Sequence, residues 1–174
     1  LTLVACSSGG EDPVDQGSDY DRTALLTNWA DNIIVPSYTN YQAKVEILIT
    51  NANTFTTAPT AENLQTLRTS WLEAYKAYQY ISMYSFGKAE AVNLKECTNA
   101  YPTNTTGIEA NILSGTYNLA LISQYDKQGF PALDYLINGL ATSDQAIIAF
   151  YVTNANATNY KNYLVALNNR VKSD

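Results

Sequence analysis

The segment Thr60-Ala61-Glu62-Asn63-Leu64-Gln65-Thr66-Leu67-Arg68-Thr69-Ser70-Trp71-Leu72-Glu73-Ala74-Tyr75-Lys76-Ala77-Tyr78-Gln79-Tyr80-Ile81 decides the fold. Leu64, Leu67, Trp71, Tyr75, Tyr78 and Ile81 recur every three or four positions, the repeat that aligns side chains along one side of an α-helix. Glu62, Gln65, Arg68, Glu73, Lys76 and Gln79 take the opposite side, so one face should pack and the other meet water. Thr60 offers its hydroxyl to the first unpaired N–H groups, and Phe86-Gly87 ends the segment.

Working outward, Leu26, Trp29, Ile33, Tyr41, Val45 and Leu48 predict a long amphipathic helix over residues 21–51. Pro36 lies inside it and predicts a kink or break near Ile33 to Val35. Residues 50–59, rich in Thr, Asn and Ala and closed by Pro59, read as a turn. Downstream, residues 88–104 lack regularity, and Tyr101-Pro102 forces an extended step. Thr106 to Glu109 has capping-box spacing for a short helix closed by Gly115. Gly129-Phe130-Pro131 opens another that Gly139 stops, and Ser143 starts a third through Phe150. A last helix begins near Thr158 and turns Tyr160, Leu164, Leu167 and Val171 inward. No segment alternates like a strand, so the fold class is all-α: an up-and-down helical bundle over residues 21–174.

Of 174 residues, 46% are hydrophobic, enough for one core. The net charge is −6 and no Lys/Arg cluster exceeds a pair, which excludes the basic footprint of a nucleic-acid binder and electrostatic attraction to anionic lipid. No apolar run is long enough to span a bilayer as a helix.

The amino-terminal residues Leu1-Thr2-Leu3-Val4-Ala5-Cys6-Ser7-Ser8 resemble a bacterial lipobox, in which a small residue precedes a cysteine that accepts a diacylglycerol. Residues 1–5 are then the remnant of a signal peptide whose basic start lies upstream, and Cys6 is the lipidation site. Residues 6–20, polar, acidic and rich in Gly and Ser, read as a flexible tether. Their acidity after Cys6 is similar to an export signal of Bacteroidetes-type bacteria. The expected location is the outer membrane of a Gram-negative-type envelope, facing the periplasm or the exterior, with the membrane reached through the lipid. Cys97 has no disulfide partner once Cys6 is acylated and reads as a buried thiol.

The chain contains no histidine, so neither a Ser-His-Asp nor an HExxH site can be built from it. A cation would need oxygen ligands, as iron or another hard ion can accept, and the residues favour none in this chain. Carboxylates near the irregular middle are Glu90, Glu109, Asp126 and Asp134. Each has a structural reading: Glu109 in the capping box, Asp126 in a turn, Asp134 near a helix amino terminus. Tyr41, Tyr75 and Tyr78 fall on apolar stripes and read as core or seam.

Ile34-Val35-Pro36-Ser37-Tyr38, the Trp71 to Tyr78 segment, Tyr84-Ser85-Phe86-Gly87, Asn99-Ala100-Tyr101-Pro102 and Gly129-Phe130-Pro131-Ala132-Leu133-Asp134-Tyr135-Leu136 stand in the order found in the imelysin family of bacterial envelope proteins, which the chain resembles over residues 22–172. That family includes iron-regulated lipoproteins and a metallopeptidase. The resemblance implies two similar helical bundles with a cleft between them, of which this chain would supply the first, incomplete at its carboxyl end. It also implies a metal-holding G-x-H-x-x-E motif. Here Gly129 matches, Pro131 replaces the His and Asp134 replaces the Glu.

Gly129, Phe130, Asp134, Tyr101, Glu109 and Asp126 are therefore the candidate cleft residues, with Asp134 the weak candidate for a metal. The leading reading is a non-catalytic, ligand- or partner-binding component of iron uptake that meets other iron-uptake or surface proteins. A metallopeptidase with its remaining ligands downstream is one alternative. An extracellular polysaccharide-binding protein is another, which aromatic side chains exposed along a cleft would favour.

Overall fold

The computed structural model describes residues 21–173. Cys6 and the tether lie outside the described residues. The chain forms α1 (Arg22–Trp29), a π-helical turn (Ala30–Ile34), α2 (Val35–Thr57), α3 (Ala61–Gln79), α4 (Lys88–Ala91), α5 (Leu94–Thr98), α6 (Thr105–Ser114), a 3₁₀ turn (Ile122–Lys127), α7 (Gly129–Asp134), a second π-helical turn (Tyr135–Gly139), α8 (Asp144–Val152) and α9 (Ala157–Ser173). No strand occurs among the described residues.

Pro36 widens the helix and does not break it. Without an N–H it leaves the preceding turn short of a donor, and the Val35 N–H reaches back five residues to the Ala30 carbonyl. α2 then runs to Thr57, six residues past the expected helix end at Asn51 and through most of the expected turn. Ala52 and Phe55, both fully buried, continue the Tyr41, Val45, Leu48 stripe at helical spacing. The Thr50, Thr54 and Thr57 hydroxyls donate back to carbonyls four residues earlier. The turn-rich composition thus yields to the apolar repeat.

A short connection at Ala58 to Thr60 makes α3 antiparallel to α2, with Thr60 Oγ1 capping Asn63 N at 3.2 Å. α9 packs against the far side of α2, and α7 and α8 close the core. The buried stripe of α9 is Tyr160, Tyr163, Leu164, Leu167 and Val171. Two helix starts and one helix end are as expected in position: Ser143 caps Ala146, Gly129 opens α7, and Gly115 ends α6 in a left-handed conformation.

The amino-terminal arm departs from the sequence reading. Leu26, Trp29 and Ile33 were expected inside, but are 61%, 48% and 46% exposed. α1 and its π-helical turn pack chiefly on each other and on the start of α2, which leaves most of their apolar stripe uncovered.

Candidate functional site

The segment Gly129 to Asp134 is held from three sides. Gly129 takes φ +76, and a Cβ there would stand 2.2 Å from the Thr98 carbonyl oxygen, so only glycine permits α7 to begin against α5. Phe130 is fully buried among Tyr41, Tyr75 and Tyr78, with ring centroids at 6.5, 5.1 and 5.7 Å. Its carbonyl accepts the Trp71 indole N–H at 3.1 Å. Phe130 therefore anchors α7 in the core and does not line a cleft.

Asp134 closes α7 and is half-buried; it stands at the carboxyl end of that helix, not near its amino terminus, and the helical run continues through the π-helical turn. Its Oδ1 accepts the Asn138 side-chain amide at 2.8 Å. The Pro131 side chain has no atom with which to ligate a metal. Among the described residues no three of His, Cys, Asp and Glu converge to hold a metal ion. The residues present do not fit the metal that a G-x-H-x-x-E motif would hold.

Glu109 does more than the capping box would ask of it. The cap of α6 is Asn104, whose Oδ1 accepts the Gly107 N–H at 2.8 Å. Glu109 is left free to face inward, where Oε1 accepts the Tyr135 hydroxyl at 2.9 Å and Oε2 accepts the Tyr160 hydroxyl. Burial, then the bond to Glu109, pushes Tyr135 up to about 12 and raises Tyr160 further. One carboxylate thereby joins α6, the second π-helical turn and α9.

Asp126 lies in the 3₁₀ turn. Its Oδ1 meets Lys127 Nζ at 2.8 Å, its Oδ2 accepts from Asn104 Nδ2 at 3.0 Å, and its carbonyl accepts from Asn104 N at 2.7 Å. Burial works to raise its pKa, but the bonds from Lys127 and Asn104 outweigh this and hold it below the usual carboxylate value. Asp126 also borders a groove of about 450 Å³ together with Tyr101, Tyr125, Asn99, Lys95 and Glu96. Of the six candidates, Tyr101 and Asp126 are thus brought to one groove, whereas Gly129 and Phe130 are buried supports. A second cavity, about 430 Å³ and mostly apolar, opens between α2 and α9 beside Tyr38, Leu94 and Lys172.

Arg68 was assigned to the wet face of α3. Its side chain is largely buried, with Nε donating to the Ile137 carbonyl at 3.0 Å and Nη1 pairing with Asp144 at 2.8 Å. A single arginine within a polar face carries no sequence signal for such a long-range tie.

Residues 34–174 match the family model described as Imelysin. The chain is 29% identical over 91 residues to iron-regulated protein A of Synechococcus elongatus, an alignment covering 49% of this chain and 26% of that protein. The crystal structure of a precursor assigned as iron-regulated protein A from Parabacteroides distasonis superposes with a TM-score of 0.70 at 18% identity, covering 95% of this chain and 45% of that one. The chain spans less than half the length of either relative. With the family pattern running through nearly every described helix, and an all-helical bundle of the same fold beneath it, the chain belongs to the imelysin family.

Proposed function

We propose that this chain is part of a lipid-anchored bacterial envelope protein of imelysin type that serves iron uptake as a non-catalytic ligand- or partner-binding component. The observation that carries the non-catalytic role is the state of the Gly129 to Asp134 segment. Its scaffold is intact, with Gly129 seated on Thr98 and Phe130 in the core, while Pro131 stands in the ligand position and Asp134 is bonded to Asn138. A segment kept for its packing after losing its donor atom supports a role other than metal-assisted hydrolysis. The names of the two relatives support the link to iron, and their greater length supports a second helical unit in the whole protein. Acylation at Cys6, the tether over residues 6–20 and placement in the outer membrane belong to the same proposal and rest on the sequence alone.

The test is metal content and added-iron binding of the full-length protein starting at Ser7, beside an Asp134→Ala variant. Absence of stoichiometric metal from both is the expected result. Stoichiometric metal that disappears in the variant would overturn the non-catalytic reading and restore a carboxylate site.

A further inference from the structure

Single exposed rings such as Tyr101, 89% exposed, are ordinary on a protein surface. The amino-terminal arm differs, because Leu26, Trp29 and Ile33 stand on one side of it at helical spacing and all three are exposed. At the foot of the arm the stripe runs into Val35, itself exposed, which lines the cavity of about 430 Å³ between α2 and α9. A smaller cavity of about 270 Å³ shares Tyr38 and Leu94 with it and adds Ile34 and Phe86. Arm and cavities thus make one continuous apolar face, and such a face marks a surface that something covers.

Charge and connectivity select the cover. Lys172 is the charged residue that lines the larger cavity, and its Nζ is paired with Glu46 at 2.7 Å, so the face offers little to an ionic partner. Arg22 and Asp31 are the charges of the arm and are opposite in sign, so α1 lacks the cationic polar face with which amphipathic helices hold a lipid surface. Val171 and Lys172, near the carboxyl end of α9, line the larger cavity, so residues that follow α9 start at its rim. Only 45% of the Parabacteroides chain is matched by this one, which leaves more than half of that chain outside the match. We propose that the unit following α9 in the whole protein docks on this face, and that the α1 arm completes the core of that unit and not the core of the bundle. The inference rests on the second helical unit proposed above and adds the surface that receives it. The amino-terminal helix and the carboxyl-terminal unit then fold as one, with α2 to α9 strung between them.

The experiment is hydroxyl-radical footprinting of the full-length protein from Ser7, beside a second preparation carrying the photo-crosslinker benzoylphenylalanine in place of Leu26. Trp29 and Ile33 should oxidise at least about tenfold more slowly than in the urea-unfolded protein, where half-exposure alone would slow them only about twofold. The protection should survive about hundredfold dilution, and the crosslink should reach residues beyond 174. Trp29→Ser should speed amide exchange beyond residue 174 at least about tenfold while leaving α3 and α9 unchanged, which a merely local role for the ring would not do. Oxidation of Trp29 at the half-exposed rate, or a crosslink confined to residues up to 174, would overturn this inference and leave the longer protein standing. Protection lost on dilution would give the face to a second copy and overturn it as well. A full-length product ending near residue 174 would remove the second unit itself, and both readings with it.

Discussion

The carboxylate of Glu109 on α6 accepts the hydroxyl of Tyr160 on α9, fifty-one residues further along the chain, while its other oxygen takes Tyr135. Hydrogen bonds to an ionised acceptor contribute about 1.5–3 kcal/mol each, and here Tyr160 is buried while Tyr135 is half-buried. Glu109→Ala should therefore destabilise the fold by about 2 kcal/mol. The check is a denaturant midpoint that falls at unchanged slope. An unaltered midpoint would show that the clamp is incidental.

The raised tyrosines give a pH dependence of definite sign. Tyr78, Tyr135 and Tyr163 are each pushed up to about 12, in every case chiefly by burial, and the enclosed Tyr151 is raised further. Unfolded tyrosine ionises near about 10, so above that pH the unfolded chain loses protons that the folded chain keeps. The stability these groups provide is whole below about pH 10 and is lost as pH climbs toward 12. Stability measured against pH should be flat up to the unfolded value and then decline, with phenolate absorbance appearing together with unfolding. Tyr135→Phe should make the decline shallower.

Gly129→Ala meets two penalties at once, the left-handed backbone and the Thr98 carbonyl 2.2 Å from the new methyl. The combined cost should be about 3 kcal/mol or more, read as a lowered melting temperature. A variant as stable as the parent would mean that α7 can start elsewhere.

Arg68→Met keeps much of the aliphatic bulk but removes the bonds to the Ile137 carbonyl and Asp144. A loss of about 1.5–3 kcal/mol is expected, because the carbonyl is left without its charged donor. Asp144→Asn, which retains an acceptor, should cost less. Equal losses would show that the ion pair to the start of α8, and not the bond to Ile137 in the second π-helical turn, carries the contribution of Arg68.

Gln128 runs the other way. It is fully buried, and neither amide atom has a hydrogen-bond partner among the described residues. Gln128→Met removes two orphaned polar atoms at similar volume and should stabilise the protein by about 1 kcal/mol. A destabilised variant would indicate that the amide is bonded to ordered water.

The helical periodicity of α3 and α9 made their buried faces readable because each stripe is covered by neighbours from the same chain. The same periodicity misled at Leu26, Trp29 and Ile33, since a stripe records that a face is apolar and not what covers it. The end of α2 was read too early because Thr and Asn favour turns locally, whereas Phe55 gains more by entering the core. At the site, the loss of a donor at Pro131 was legible from residue chemistry alone. The Glu109 clamp was not, because its partners lie 26 and 51 residues away and spacing carries no record of them. The groove at Tyr101 was legible only as a list of polar and aromatic residues in an irregular stretch; the exposure of the ring is a property of the fold.

The two tryptophans of the chain end up in contrasting surroundings. Trp29 stands half in solvent on the arm, while Trp71 stacks on Tyr75 with its indole N–H spent on Phe130. Nature has in effect placed two dyes in one molecule. A red-shifted, readily quenched emission belongs to the arm and a blue-shifted, protected one to the core. Whatever comes to cover the arm should therefore announce itself as a blue shift in Trp29 alone, and in a Trp71→Phe protein that signal would be read against a dark background.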